Sequence, residues 1–358
     1  MSAAKVAVLR TRPETVVPDY GRLMRLAGYD GVLPRDGELL LKLNLSWTKY
    51  YPACSSQPWQ VEGVVRTLLE DGYRPERLHP VENKTVVTNP RRGAVANRWL
   101  PILERHGLPF IPLPEVEWIP YRFRSPLLRL NEIFPEGIEI PKMFVGASVL
   151  HLPTVKVHGH STTTGAVKNA FGGLLKEVRH YAHEFIHEVL VDLLYMQREL
   201  HPAVFAVMDG TVVGDGAGPR TMIPREGNLI LASADSVAID AIAARLMGYD
   251  PLAIPYLRLA HDRGLGVADP REIELLGDDV SDVNFHCRTS RSLVIWGDQL
   301  IRRGPLRPLK RLLLHSPLVV WAPFASNVYH DWLWYPTIGR ARIRAFAATE
   351  WGRLFERY

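Results

Sequence analysis

The residues best suited to chemistry lie in one stretch of the chain, residues 149–200, which holds six of the 13 histidines and three lysines. Lys156, His158 and His160 stand at alternate positions, so an extended segment would place all three side chains on one face. His183 follows in the next segment of the stretch. Imidazoles grouped in this way can bind a transition metal, and we predict His158, His160 and His183 as its ligands.

A helical pattern that begins near Leu174 offers a simpler explanation for the later histidines. At about 100° per residue the three histidines of this segment fall on one side and its apolar residues on the other. The histidines would then be the polar face of an amphipathic helix. On the apolar side are Val178, Ala182, Phe185, Val189 and Leu193, and on the polar side are His180, His183 and His187.

Lys168 is the second candidate for chemistry in this stretch. It follows a run of small residues, 162–166, and has cationic neighbours. A lysine desolvated in such a pocket has a lowered pKa and can act as a base or a nucleophile. Alternatively, Lys168 is a solvated or phosphate-binding side chain. Asn169 beside it would then open a helix whose free N–H groups can bind an anion.

Polar residues at the ends of predicted strands extend the candidate site. Lys42 and Asn44 close a buried strand, and Asp209 follows a strand over residues 203–208. Ligands of open α/β sheets gather beyond the carboxyl ends of the strands, so we predict that Lys42 and Asn44 bind a cofactor or ligand, with an edge-strand lysine as the alternative for Lys42. Lys156 is also predicted to bind the cofactor. Asp209 is predicted as a catalytic base or cation ligand, with a turn-stabilising role as the alternative.

The glycine-rich run at residues 214–219 predicts a flexible loop whose backbone can approach a ligand closely. Asp215, Gly216 and Gly218 are therefore predicted to bind a cofactor, and the alternative for Asp215 is again a turn-stabilising role. The run has neither the GK[ST] ending of a P-loop nor the GxGxxG spacing of a dinucleotide-binding turn. The kind of cofactor therefore stays open.

Four stretches together resemble the family known as domain of unknown function 362. They cover roughly residues 38–285, and the resemblance implies a shared fold unit rather than a defined activity. The stretches are LPTVKVHGHSTTTGAVKNAFGGLLKEVRHYAH (152–183), LLLKLNLSW (39–47), MDGTVVGDGAGP (208–219) and ASADSVAIDAIAARLMGYDP (232–251).

The neighbourhood of Lys168 also resembles the lactate racemase family, which holds nickel in a pincer nucleotide attached to a lysine. In that family a catalytic histidine precedes the lysine by about ten residues and a metal-binding histidine follows it by about sixteen. Here His158 lies ten residues before Lys168 and His183 fifteen after it. The resemblance implies that Lys168 anchors the cofactor, His183 binds the metal and His158 is an acid or base.

The composition is that of a globular protein without a disulfide framework. The chain has 358 residues, of which 47% are hydrophobic, and a formal net charge of +5, which favours anionic ligands. It has only two cysteines, which excludes a four-cysteine iron–sulfur cluster within the chain and is typical of a reducing compartment. A signal pattern and an apolar run long enough to span a membrane are both missing, so we predict a cytoplasmic protein.

The alternation of strand and helix patterns predicts an α/β fold of two lobes with mainly parallel sheets, followed by a mostly helical C-terminal extension. The predicted lobes are residues 1–112 and 143–287, joined by a proline-rich linker or excursion at 113–142. The extension, residues 288–358, is basic and contains five of the nine tryptophans. We expect it to pack over the core, and the alternative is a basic amphipathic surface that touches a membrane.

These features predict an enzyme that uses a metal or metal-containing cofactor at the His/Lys cluster. It would transfer a proton or hydride on a small anionic organic substrate, as an isomerase or oxidoreductase. The metal would be nickel, zinc or iron, alone or in a nucleotide. The alternative is a non-catalytic protein that binds an anionic ligand or cofactor. No nucleic-acid-binding module is recognisable, and the oligomeric state stays open.

Overall fold

The computed structural model of the chain describes residues 4–176, 182–290, 293–302, 304 and 321–358. These residues form a mixed α/β fold with one large, mainly parallel sheet and a helical C-terminal segment, which confirms the predicted class. The strands are β1 (Ala4–Arg10), β2 (Leu39–Lys42), β3 (Leu78–Glu82), β4 (Ile111–Pro112), β5 (Trp118–Tyr121), β6 (Ile138–Pro141), β7 (Ser148–His151), β8 (Thr154–His158), β9 (Thr162–Thr164), β10 (Val204–Ala217), β11 (Thr221–Ser233) and β12 (Ile273–Gly277).

Ten helices are interspersed with these strands or follow them in the described part of the chain. They are α1 (Val16–Leu26), α2 (Pro58–Glu70), α3 (Pro90–Ala96), α4 (Trp99–Arg105), α5 (Leu130–Ile133), α6 (Ala166–Leu174), α7 (Ile186–Leu200), α8 (Ser236–Met247), α9 (Pro255–Asp262) and α10 (Leu293–Arg302). Four further segments, here called the C-terminal helices, are Trp321–Asn327, the π-helical Val328–Gly339, Arg340–Ala347 and Glu350–Phe355. Short 3-10 turns lie at Tyr29–Gly31, Pro75–Arg77, Leu113–Glu115, Lys142–Phe144, Pro251–Ala253 and Pro270–Glu272.

The large sheet is continuous across the predicted boundary between the two lobes. Its order is β12-β1-β11-β10-β7-β2-β3-β4, and β8 joins it by pairing with β10 and β9. Because β2 pairs in parallel with β3 on one side and with β7 on the other, strands of both predicted lobes lie side by side. The two sheets that we predicted separately are therefore parts of one layer. The predicted linker contains the small antiparallel pair β5–β6.

Alternate residues of each strand face opposite layers of helices. In β2, Leu40 belongs to the core on one side of the sheet, and Leu39 and Leu41 belong to the core on the other. Residues of α6, α7, α8 and α9 complete the first core, and residues of α1, α2, α4 and the C-terminal helices complete the second. Burying a leucine side chain fully contributes about 1.5–3 kcal/mol to the stability of the fold. Both faces of the sheet carry such leucines, so a layer of helices is needed on each.

Two predictions of secondary structure are wrong. The predicted loop at residues 214–219 is mostly the end of β10, which forms an antiparallel hairpin with β11. A Cβ at Gly218 would overlap the Val157 carbonyl, so the glycine serves close packing of strands. The single helix predicted from Leu174 is not formed, since α6 ends there and α7 begins only at Ile186. His180 lies outside the described residues.

The C-terminal helices pack onto the second core, as predicted for the extension. Trp351 is only 1% exposed, and its Nε1–H donates to Asn228 Oδ1 at 2.7 Å. Phe355 stacks on Tyr50 with ring centres 3.6 Å apart. Among the described residues, we find no helix that combines the length and the apolar character required to cross a bilayer.

Candidate functional site

A small cavity, here called the Lys156 cavity, lies beside β8 and beyond the end of β2. Its volume is about 50 Å³, and since a water molecule in the liquid occupies about 30 Å³, it has room for one or two small polar groups. Five of the predicted site residues meet in its lining. The lining residues are Asn44, Ser46, Pro153, Thr154, Lys156, His158, Thr164, Gly165, Lys168, Asn169 and Pro219.

Lys156 is fully buried in the wall of this cavity. Its Nζ donates hydrogen bonds to Thr154 Oγ1 at 2.7 Å, to the Cys54 carbonyl at 2.9 Å and to Asn44 Oδ1. All three acceptors are neutral oxygens, which solvate an ammonium group without cancelling its charge. Burial disfavours the charged form and lowers the pKa of Lys156 to about 8.

Two asparagines connect Lys156 to helix α6. Asn44 Nδ2 donates to Asn169 Oδ1 at 3.3 Å, and Asn169 Nδ2 donates to the Lys42 carbonyl at 2.9 Å. The Lys42 side chain is outside the cavity lining, and its Nζ lies 2.9 Å from Glu82 Oε1 with both side chains at most 3% exposed. The predicted contact between the Lys42 side chain and a ligand is therefore corrected, because its charge is already paired.

The start of α6 is bound by a protein carboxylate. Asp240 Oδ1 accepts the Ala166 N–H at 2.6 Å, and Asp240 Oδ2 accepts the Val167 N–H at 3.2 Å. Gly165 permits this approach, since a Cβ there would overlap the carboxylate. Burial raises the pKa of Asp240 to about 7. The first N–H groups of α6 are thus occupied by Asp240, so the anion-binding helix start predicted beside Asn169 is corrected.

His158 is buried and neutral. Its Nδ1 accepts the backbone N–H groups of His160 at 3.1 Å and Ser161 at 3.3 Å. Because a neutral imidazole carries one proton, that proton is on Nε2, which makes Nε2 a donor. Burial lowers the pKa of His158 far below its usual range, and the charge of Lys168 is the next contributor.

Lys168, His160 and His183 lie around His158. Lys168 is half-buried, with its Nζ 5.0 Å from the centre of the Phe171 ring, as predicted for a lysine beside small residues. The His160 ring centre is 5.9 Å from that of His158 and 5.3 Å from that of His183. Within the described residues, no group of three His, Cys, Asp or Glu side chains is arranged to hold a metal ion. A metal at these histidines stays a prediction.

Asp209 lies outside the Lys156 cavity, contrary to prediction. Its carboxylate is fully buried on the side of α1 and α2, where it accepts Tyr20 Oη–H at 2.6 Å and Trp59 Nε1–H at 3.0 Å. Thr211 donates to its other oxygen from both Oγ1 and the backbone. Burial raises the pKa of Asp209, and these hydrogen bonds oppose the rise. Asp209 thus ties β10 to α1 and α2, which explains its presence without a catalytic role.

Asp215, Gly216 and Gly218 are also absent from the cavity lining. Asp215 is paired with Arg225, whose two nitrogens lie 2.8 and 2.6 Å from Oδ2, and it accepts the Arg288 N–H at 2.8 Å. Gly216 adopts a φ of 90° that favours glycine, and its carbonyl accepts the Ser290 N–H at 2.9 Å. These contacts fasten Asp215 and Gly216 to Arg225 and residues 288–290, and Gly218 packs closely against the Val157 carbonyl, so the predicted cofactor-binding role of the three residues is corrected.

The nickel nucleotide implied by the lactate racemase resemblance does not fit the Lys156 cavity. Pockets for drug-sized ligands measure roughly 300–1,000 Å³, compared with about 50 Å³ here. We therefore derive no role for such a nucleotide.

Several residues that shape the site were missed from the sequence. Cys54 contributes its carbonyl from the loop before α2, and Asp240 caps α6 from the middle of α8. Asp240 could have been identified from the sequence, because it is a lone carboxylate among the apolar residues of α8. The Cys54 carbonyl could not have been identified in this way, because any residue type supplies a backbone oxygen.

The chain is similar to known proteins over most of its length. It is 26% identical to a thylakoid-associated protein of Synechocystis sp. over 249 residues, which is 67% of this chain and 72% of that relative. A crystal structure of a Thermotoga maritima protein aligns at a TM-score of 0.35 and 13% identity, covering 60% of this chain and 55% of that one, too weak a likeness to argue from. The model of a domain of unknown function (DUF362) matches residues 39–245, more than half of the chain. The chain therefore belongs to the DUF362 family, as its four motif stretches predict.

Proposed function

We propose that the Lys156 cavity binds the anionic group of a small organic molecule and that the protein is an enzyme which transfers a proton on that molecule. The observation that carries the proposal is the chemistry of the lining. It includes two lysines, a histidine and two asparagines, and no Asp or Glu among the described lining residues. Such a set provides positive charge and hydrogen-bond donors, which a carboxylate or phosphate group requires.

Lys156 is the proposed acid or base. With a pKa of about 8, it is mostly charged at neutral pH while a minority is the free amine. A group whose pKa is close to the working pH is the most effective general acid or base. Its three acceptor oxygens fix the position of Nζ, so the proton is held at a defined point.

His158 is the proposed donor to negative charge that develops on the substrate. Its lowered pKa keeps the ring neutral, and the N–H groups on its Nδ1 keep the proton on Nε2. A neutral imidazole N–H stabilises an oxyanion without giving up its proton. Lys168, at the same cavity, would balance the charge of the bound anion.

The alternative is a binding protein without catalysis. One observation favours it: all three Nζ–H groups of Lys156 can be donated to protein oxygens, which suits a fixed charge that holds an anion. The two proposals share the ligand class and differ in whether a proton moves.

A two-step experiment separates them. Small carboxylates and phosphates are first screened for binding by ligand-observed NMR, and hydrogen–deuterium exchange at C–H bonds of the bound ligand is then followed in D₂O. We expect Lys156→Met to weaken binding roughly tenfold or more and His158→Gln to slow exchange more than it weakens binding. Lys142→Met, which removes an exposed lysine with side-chain exposure of 62%, is the matched control.

The outcomes of this experiment separate the enzyme from the binding protein and can overturn both proposals. Binding with no exchange on any ligand supports the binding protein. Wild-type protein that binds neither a carboxylate nor a phosphate overturns both proposals.

The predicted metal and location remain part of the proposal. Metal analysis of protein purified without an affinity tag, compared with His183→Ala, tests whether nickel, zinc or iron is bound stoichiometrically. A cytoplasmic location is supported by the two cysteines, Cys54 and Cys287, which are both free thiols.

A further inference from the structure

The outer surface of the C-terminal helices exposes large apolar side chains. Trp332 is 65% exposed, Phe324 62% and Leu333 59%. The Phe324 and Trp332 rings lie edge to face with centres 6.2 Å apart, so they form one patch. Among the described residues, the exposed large aromatic side chains are Trp296, Phe324 and Trp332, all of them in the C-terminal extension.

Poor packing of the extension on the core does not explain this exposed patch. The inner face of the same helices is well buried, with Trp334 at 7%, Phe346 at 6% and Trp351 at 1% exposure. Aromatic residues therefore occupy both faces, and those of the inner set pack against the core. The outer set needs another explanation, because exposed apolar patches mark interaction surfaces.

Exposed positive charge follows the exposed aromatics along the C-terminal helices. Arg340 and Arg344 are four residues apart on the α-helix Arg340–Ala347, so they lie on one side of it, and both are exposed. Residues 288–358 contain twelve Arg or Lys and four Asp or Glu, although the whole chain has a net charge of only +5. The extension is thus strongly basic, and the rest of the chain is slightly acidic.

We propose that the outer face of the C-terminal helices docks on the surface of an anionic lipid bilayer. Tryptophan side chains are favoured at the boundary between headgroups and acyl chains, and nearby arginines are attracted to anionic headgroups. This is peripheral contact, in which the inner face stays packed on the core. The Lys156 cavity takes no part in it.

Vesicle flotation tests the proposal with the full chain. We expect the protein to float with vesicles of phosphatidylglycerol mixed with phosphatidylcholine, and to stay behind with pure phosphatidylcholine or in high salt. Trp332→Ser combined with Leu333→Ser should abolish flotation. Arg340→Glu combined with Arg344→Glu should weaken it roughly tenfold or more.

The matched control is Val95→Ser on α3, which removes a residue 61% exposed and distant in sequence from the patch. It should float like the wild type, and urea unfolding should give all variants the same midpoint within error. A wild-type protein that stays soluble with anionic vesicles overturns the proposal. So does a Trp332/Leu333 variant that still floats but changes from dimer to monomer in sedimentation, since the patch would then bind a second copy of the chain.

Discussion

Lys42 and Lys156 are both buried lysines at the same edge of the sheet, with 1% and 0% exposure, and they differ in their partners. Lys42 is paired with the Glu82 carboxylate at 2.9 Å. Lys156 donates to three neutral oxygens and has no carboxylate among these partners. The Lys42 charge is neutralised within the protein, and the Lys156 charge is available to the cavity. The partner of a buried lysine, rather than its burial, distinguishes a structural charge from one that can bind an anion.

The largest effect is expected from Lys42→Met, which removes the lysine from the buried ion pair with Glu82. Breaking a buried ion pair in this way costs about 3–5 kcal/mol in the free energy of unfolding. Urea unfolding measures the loss. Lys142→Met, which breaks the exposed pair with Glu117, is the matched control and should change little. If Lys42→Met lowers the free energy of unfolding no more than the control does, the Lys42–Glu82 pair does not stabilise the fold and the contrast with Lys156 is wrong.

The second prediction concerns the pH dependence that Lys156 gives to stability. Its pKa is lowered to about 8 from 10.5, so between these values the unfolded chain binds more protons than the folded one. Stability should therefore rise with pH in this window by about 1.4 kcal/mol per unit, relative to Lys156→Met. Urea unfolding of both proteins at several pH values measures the difference. Anion binding should weaken as the pH rises through 8, and a flat difference curve would contradict the assignment.

The smallest effect is expected from Gly172→Ala on α6, which probes the packing over the ion pair. Replacing glycine by alanine in a helix stabilises the folded state by up to about 1 kcal/mol. The new Cβ would lie 3.3 Å from Lys42 Nζ and 3.4 Å from Glu82 Oε1, and this close contact opposes the gain. The free energy of unfolding should change by less than about 1 kcal/mol. Gly165→Ala, whose Cβ would overlap the Asp240 carboxylate, should destabilise far more in the same assay.

Sequence patterns were sufficient for the local part of this structure. Alternating apolar runs and helical periods predict the α/β class, and β2 ends at Lys42, where the end of a buried strand was expected. The site prediction was good where side chains follow one another on a single segment. Lys156, His158, Lys168 and Asn169 are all within 14 residues and share one cavity. Their positions follow from the local geometry of β8 and α6.

One error arose where a distant segment supplies the partner, and another arose where pairing with the next strand was not recognised. Asp209 follows a strand, as a site residue should, but Tyr20 and Trp59 reach it from helices more than a hundred residues away. The glycine-rich run at 214–219 has the composition of a loop, and pairing with β11 makes it a strand.

The sequence by itself determined the types of segment, the family and the group of cationic residues around Lys156. Only the tertiary structure decided which lysine is neutralised, because Glu82 and Cys54 reach their lysines from separate segments of the chain. It also decided that the extension has a buried and an exposed aromatic face, since tryptophan and phenylalanine occur on both faces. Charge and exposure depend on what packs nearby, and packing over such distances is not encoded in any local pattern.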